Sequence, residues 1–444
     1  MDIYTLNLTG LLALCGALFV AQRTPNTKSP KPTKNTNKAN SQWSFLVVYA
    51  LVMGADWLQG PFLYSLYHDE HNISSSLISA LFTTGFVSGG VSGTFIGSLA
   101  DRHGRKFACL VFCLAYSLSC LLTISPSAAA LPSIPLLLLF LGRVLGGLST
   151  SLLFTVFESW MVTDARARGL SDGDLSSTFG LMSTLNSVVA ILSGVGSEWL
   201  VSTTGTKKAP FVGSTVLLVI AFGIIYTQWT ENYGQSGGTS PAKKTTTGVT
   251  NKLWTTLSNP KVLSLGLAST MFEGSMYLFV FFWVPALKAV VSADTETDKG
   301  LPYGVIFAAF MAATLASSLA FTTITRKQVL GYASLLLAIL GTSAACFFLL
   351  VRPKTEQTTF WLFCLFEAAV GMYFPCMGYL KGRLIDDGVR AQVYGFLRIP
   401  LNVFVVVSLL FTGDGDAGTV FLVCGTLLLA SCGALWVANV QEAS

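Results

Sequence analysis

The chain has 444 residues, of which 52% are hydrophobic and only 11% charged. A soluble globular protein carries about 25% charged residues, so this composition excludes a water-soluble enzyme or binding domain and requires a surface that faces lipid. The formal net charge of +5 is spread through short segments between apolar runs rather than gathered on one patch, which argues against nucleic acid as a partner and for membrane topology.

The first apolar run, 3–20, has the length of a signal sequence. No Lys or Arg precedes it, however, and the Lys- and Pro-rich segment 23–38 follows at once. That is the polarity of an uncleaved anchor whose N-terminus faces out. The expectation is therefore an extra N-terminal transmembrane helix over 1–22 and a cytoplasmic linker over 23–42.

Six apolar runs follow within 43–230, near 44–67, 76–99, 105–124, 133–162, 175–200 and 211–229. Each can cross about 30 Å of hydrocarbon, which takes about 20 residues. The stretch 231–258, rich in Gly, Ser, Thr and Lys, reads as a flexible cytoplasmic linker. Within 259–440 a second set of six runs lies near 260–283, 301–322, 329–350, 359–380, 391–411 and 417–438. The fold class expected is all-α, two six-helix membrane bundles plus one extra helix. The nine cysteines fall in or at the ends of apolar runs and read as packing residues.

Lys and Arg set the orientation. If 23–38 is cytoplasmic, most of the 27 Lys and Arg, Lys381 and Arg383 among them, lie on that side. The opposite side holds only Lys207, Lys208, Lys288, Lys299, Arg352 and Lys354, and Arg143 and Arg398 lie within helices. The sequons at Asn7 and Asn72 would then face out.

The segment GSLADRHGRK at 97–106 joins the second and third core helices. Gly97 lets helix backbones approach, Asp101 can cap the next helix, Gly104 permits a tight turn, and Arg102, Arg105 and Lys106 hold the loop in the cytoplasm. In this position the segment resembles the hallmark loop of the major facilitator superfamily. The resemblance implies two bundles that rock about a central site, with Gly97, Asp101, Arg102, Gly104 and Arg105 as a gate latch. The matching place in the second half keeps only Arg326 and Lys327. Glu158 and Arg166 stand eight apart, where sugar porters of the superfamily keep a pair seven apart.

Longer strings narrow the resemblance: ADWLQGP at 55–61 with Tyr64 and Tyr67, LGRVLGGLST at 141–150, FESW at 157–160, MFE at 271–273, residues 307–313, GMYFP at 371–375 and FLRIPL at 396–401. With the extra helix they are similar to the molybdate-anion transporter branch. That implies uptake of molybdate, a tetrahedral oxyanion, by a protein of the plasma membrane that works as a monomer, without a cofactor and without enzymatic activity.

An ionisable residue inside a spanning helix costs roughly 2.5–3.5 kcal/mol on insertion scales and marks a site by default. Five stand inside: Asp56 in core helix one, Arg143 in four, Glu273 in seven, Glu367 in ten and Arg398 in eleven. At 1.5 Å per residue, Asp56 and Glu273 lie about 18 Å from the cytoplasmic start of their helices, the depth expected of a site between repeats. In the superfamily, helices one, four, seven and ten line the cavity.

An oxyanion needs a fixed positive charge, and guanidinium matches paired oxygens bidentately. Arg143 is the candidate, with Tyr64, Asn186, Tyr373 and Asn402 as possible hydroxyl or amide donors. The other reading has Arg143 neutralising Asp56 or Glu158. Arg398, near the cytoplasmic end of its helix, is read as a gate residue pairing with the Asp101 loop. Protonation of Asp56, Glu273 or Glu367 would couple the anion to protons, and intramembrane salt bridges are the plainer account. Pro61, Pro285, Pro375 and Pro400 could break helices around a cavity. The run His68 to His71 has metal-ligand residue types but reads as a solvated outer turn, and no metal is expected. No ATP-binding GxxxxGK[ST] loop occurs. A sugar or polar-metabolite carrier, a non-transporting receptor and, more distantly, a membrane enzyme using His68 and His71 are the other classes weighed.

Overall fold

In a computed structural model of the chain the residues described are 2–22, 36–125, 133–234, 246–294, 300–352, 355–385, 389–412 and 417–438. Among them there is no strand, and 13 helices are long and apolar enough to cross a membrane. Residues 23–35 of the first linker and 235–245 of the second lie outside the described residues, as do Lys299 and Lys354.

The extra helix is Ile3–Gln22. Core helix one starts as Thr36–Gln59, passes through a single 3-10 turn at Gly60–Phe62 and closes in a π turn at Leu66–Glu70. Core helices two to six are Ser75–Gly93, Arg105–Thr123, Ser133–Ala167, Asp172–Thr204 and Ala209–Gln228. Seven to twelve are Pro260–Asp294, Tyr303–Arg326, Tyr332–Leu350, Glu356–Leu384, Arg390–Thr412 and Ala417–Val437.

Several helices outrun the apolar windows. Core helix four reaches Ala167 and core helix ten reaches Leu384, because backbone hydrogen bonding continues past the hydrocarbon edge while hydropathy does not. Core helix two, read as one run, stops at Gly93 and resumes as a two-turn helix, Ile96–His103. The Thr94 hydroxyl donates back to the Val91 carbonyl at 2.7 Å at this joint, where such back-bonding bends a helix. Of the four prolines only Pro61 sits at a change of helix type. Pro285, Pro375 and Pro400 lie inside continuous helices, where neighbouring helices can take up the freed carbonyls.

The chain divides into two compact units, Pro25–Thr239 with Tyr303–Ala308, and Met1–Thr24 with Ser240–Pro302 and Ala309–Ser444. In the first, core helices two and four meet through small residues. A side-chain carbon on Gly147 would run into the Gly85 carbonyl oxygen and stand 2.7 Å from the Gly89 amide nitrogen. The Ser88 hydroxyl donates to Val144 O and that of Ser151 to Gly89 O, both at 2.7 Å. This small-residue seam is how membrane helices gain contact when lipid supplies no hydrophobic drive. Gly97 does not belong to it, since a carbon there meets only the Thr155 methyl at 3.6 Å.

In the second unit the extra helix packs one stripe, Tyr4, Leu8, Leu11 and Cys15, inward. Spacings of four, three and four put them on one face. Polar contacts fasten both ends. The Tyr4 hydroxyl donates to Glu356, Asn7 Nδ2 to Gln357 Oε1 at 3.1 Å, Cys15 Sγ to Ala312 O at 3.2 Å, and Gln22 Nε2 to Leu319 O and, at 3.2 Å, to Thr323 Oγ1. Asn7 is thus part of a helix contact rather than of a free outer segment.

The inter-bundle linker is ordered at both described ends, contrary to the flexible stretch expected. Thr246–Leu257 is a helix, and its Leu253 and Leu257, four apart, pack on Val262, Ile385, Val389 and Val393.

Candidate functional site

The first unit carries a polar cluster on core helices one, three and four. Asp56 accepts a hydrogen bond from the buried Tyr116 hydroxyl. Arg143 lies within electrostatic reach of Asp56, yet no carboxylate among the described residues stands within 4.0 Å of it. Its guanidinium sits 5.3 Å from the centre of the Phe82 ring. A carbon on Gly85 would come 2.7 Å from Arg143 Nη2, so only glycine at 85 leaves room for the guanidinium. Arg143 Nε is buried and has no hydrogen-bond partner among the described residues, while the Tyr67 hydroxyl stands beside the guanidinium. Of the two carboxylates that Arg143 could neutralise, Asp56 feels its charge through space, without a contact pair among the described residues. Tyr116 takes the place at Asp56, and Glu158 is exposed.

Trp57, next to Asp56, donates its indole N–H to Asn186 Oδ1 at 2.9 Å. An indole nitrogen can only donate. The contact therefore fixes the amide, with its two N–H donors directed away from Trp57. Tyr64 is buried beside His68, with ring centres 5.8 Å apart, towards the closing π turn rather than beside Arg143.

The second unit repeats the arrangement with other residues. Glu273 Oε1 accepts from Ser269 Oγ at 2.6 Å and from the Tyr373 hydroxyl at 3.0 Å. Tyr373 is fully buried and stacked on Phe272 at 3.9 Å, and its hydroxyl donates to Glu273. Lys381 Nζ donates to Ser269 Oγ at 2.8 Å. Glu367, 6% exposed, accepts from Thr314 Oγ1 at 3.2 Å and has no cation within 4.0 Å among the described residues. Arg398 and Asn402 are exposed on core helix eleven, Arg398 within electrostatic reach of Tyr277.

The expected latch is a two-turn helix followed by a turn at Gly104, whose φ of 109° excludes other residues without strain. Asp101 does not cap the next helix. It pairs with Arg105, Oδ1 to Nη2 at 2.7 Å, while Arg105 Nη1 also donates to Ser159 O at 3.0 Å and to Thr163. The cap comes from Glu231, whose carboxylate accepts the backbone N–H of Lys106 at 2.7 Å and of Phe107 at 3.0 Å. Around it Arg105 N donates to Asn232 O at 2.9 Å, Gly234 N to Asp101 O at 3.1 Å, and Trp229 stacks on Trp160 at 3.7 Å. At the end of core helix four, Arg168 pairs with Asp164 at 2.9 Å, and no Glu158 to Arg166 pair forms among the described residues.

The residues His68 to Glu70 close core helix one rather than forming a solvated turn. Asp69 pairs with Lys207, Glu70 accepts from Thr206 Oγ1 at 3.1 Å, and His71 Nε2 lies 2.9 Å from Thr123 O. Among the described residues no group of three or more His, Cys, Asp or Glu could hold a metal ion.

Comparison with known proteins places these features. A family profile described as sugar transporters with 12 TM matches residues 3–359, the extra helix included. The chain is 33% identical over 441 residues to the molybdate-anion transporter of Xenopus tropicalis, covering 95% of this chain and 91% of that protein. The chain belongs to the molybdate-anion transporter family of the major facilitator superfamily. Within that family it is also 31% identical to the Takifugu rubripes and Danio rerio proteins of the same name, over 95% of its length and 92% of theirs. Solved structures share the fold at much lower identity. The nucleoside transporter NupG matches with a TM-score of 0.65 at 12% identity, over 90% of this chain and 98% of that one. The inward-open xylose transporter XylE from E. coli matches at 0.65 and 12%, over 89% and 95%. A multi-pass membrane protein of a transporter family is thereby shown.

Sequence reasoning missed Tyr116, Gly85, Trp57, Ser269, Lys381 and Glu231. The first five are neutral or lie just past an apolar window, and nothing in the order of residues announces their partners. Glu231 carried a faint signal as an acid directly after core helix six.

Proposed function

We propose that the protein carries molybdate, or a tetrahedral oxyanion of like size and charge, across the plasma membrane by alternating access, as a monomer. The observation that carries the anion reading is Arg143, a guanidinium inside the membrane whose buried Nε has no hydrogen-bond partner, and which has no carboxylate within 4.0 Å, among the described residues. Such a group retains the donors and charge that an oxyanion's paired oxygens require. The names of the relatives point to the same substrate. Asn186, held by Trp57, is a further donor assigned to the anion.

Proton coupling is part of the proposal. Asp56, Glu273 and Glu367 each accept from hydroxyls, of Tyr116, of Ser269 and Tyr373, and of Thr314. A hydroxyl can donate to a carboxylate or accept from a carboxylic acid, so these partners tolerate either protonation state where a contact ion pair would not. Gating by the 97–106 loop and Arg398 belongs to the same cycle.

Uptake of labelled molybdate into proteoliposomes, with sulfate and glucose as competitors, tests the substrate. Saturable molybdate uptake that excess glucose leaves intact supports it. Uptake of glucose and not molybdate returns the protein to the sugar carriers, and uptake of none of the three makes it a receptor.

A further inference from the structure

By sequence Lys381 stands one residue beyond an apolar run and counts among the cytoplasmic charges. The default for such a lysine is to run its stem along the helix and leave its ammonium among lipid headgroups. The structure shows something else. Core helix ten continues to Leu384, and Lys381 reaches the buried Ser269, donating to its Oγ at 2.8 Å. Its Nζ also lies 5.8 Å from the centre of the Tyr394 ring. The Ser269 hydroxyl in turn donates a hydrogen bond to Glu273 Oε1 at 2.6 Å. The ammonium and the carboxylate are thus joined through a hydroxyl, with no carboxylate within 4.0 Å of Nζ among the described residues.

One turn beyond Lys381 the apolar cluster of Val262, Ile385, Val389 and Val393 begins, covered by Leu253 and Leu257 of the linker helix. An ammonium beside such a cluster gains nothing from it and needs polar partners. It has three protons to donate, of which the structure commits one to a side-chain hydroxyl. The first unit holds the same combination, a carboxylate satisfied by a hydroxyl with a nearby cation left out of contact, in Asp56, Tyr116 and Arg143.

We infer that Lys381 is an anion-binding residue of the second unit, and that Ser269 holds its ammonium beside Glu273 until substrate oxygens accept its protons. The inference rests on the oxyanion-transport reading above. Lys381 offsets the repulsion that Glu273 would exert on the anion. Ser269 is a positioning residue, keeping the cation near the carboxylate without the tight pair that would neutralise it.

The test uses the full chain in proteoliposomes, with initial rates of labelled molybdate uptake over a range of concentrations for K381Q, K381R, S269A and K381Q/S269A. The thermal unfolding of each is measured alongside. Expected is a rise in KM of about tenfold or more for K381Q, the loss of one charge-assisted hydrogen bond. K381R should stay near the wild-type KM, S269A should raise KM by less than K381Q does, because the ammonium can then close on Glu273, and the double variant should match K381Q. A K381Q protein whose KM is unchanged, whether or not Vmax or melting temperature falls, overturns the inference and leaves Lys381 a packing role. A KM raised as much by S269A as by K381Q also overturns it, because the hydroxyl would then be the needed group. Molybdate uptake absent from the wild-type chain removes the transport reading itself and this inference with it.

Discussion

The Glu231 carboxylate accepts the backbone N–H of Lys106 at 2.7 Å, so the residues leaving core helix six cap the start of core helix three. The first N–H groups of a helix have no partner within it, and a carboxylate there also meets the positive end of the helix dipole. An E231A variant should lose about 1 kcal/mol of stability, the usual worth of a cap. G104A should lose more, because φ is 109° and the added carbon would lie 2.5 Å from the Glu231 carboxyl carbon. Thermal unfolding in detergent checks the order. Equal melting temperatures for E231A and wild type would show that the cap adds nothing.

Gly85 and Gly147 separate the packing role of a glycine from its role at the site. In G85A the new methyl meets the guanidinium of Arg143 at 2.7 Å, the mobile end of a long side chain. Arg143 should shift while the helices stay together, giving weakened molybdate uptake at near-normal abundance. In G147L the side chain meets the backbone of core helix two, which cannot give way, and folded protein should be lost. Fluorescence size-exclusion profiles with uptake on the same membranes distinguish them. Normal uptake by G85A would detach Arg143 from transport.

His71 gives the outer rim a pH dependence. Partial burial holds its imidazole below the ordinary value of 6.5. Its hydrogen bond to the Thr123 carbonyl opposes this, the charge of Lys208 adds to it, and that of Glu70 opposes it. The unfolded chain therefore binds this proton more readily than the folded one. The contribution to stability is intact above about pH 6.5 and is lost as pH falls through that value towards the lower folded one. Melting temperature should drop on acidification from about pH 7 to 5, and H71Q, which keeps a donor to Thr123 O, should flatten that drop. An H71Q profile parallel to wild type would remove His71 from the effect.

The extra helix fastens to the second unit by Tyr4, Asn7, Cys15 and Gln22. A tag placed before Met1 should remain on the chain isolated from membranes, and deletion of residues 2–22 should lower the melting temperature by uncovering core helices eight and ten. A mature chain lacking the tag would show a cleaved segment instead.

Much of the fold was legible because hydrocarbon thickness imposes a length on every apolar run, and twelve runs around one polar linker leave few arrangements. The intramembrane charges were legible too, since each is costly enough to stand out. Their partners were not. Whether Arg143 pairs with Asp56 or stays out of contact with it depends on Tyr116 and Gly85, which come from helices whose rotation hydropathy does not specify. The partner of Lys381 was hidden for a related reason, as a window that ends at residue 380 cannot show where a four-carbon stem turns. Asp101 as a cap was a sound local reading overtaken by Glu231, more than a hundred residues away.

The central claim concerns Arg143, and initial-rate uptake of labelled molybdate by wild type, R143K and R143A at matched folded abundance tests it most directly. The account predicts saturable uptake by wild type, its near-complete loss in R143A, and only partial recovery in R143K, which restores charge without the bidentate fork. Uptake by R143A at the wild-type rate and KM would contradict it.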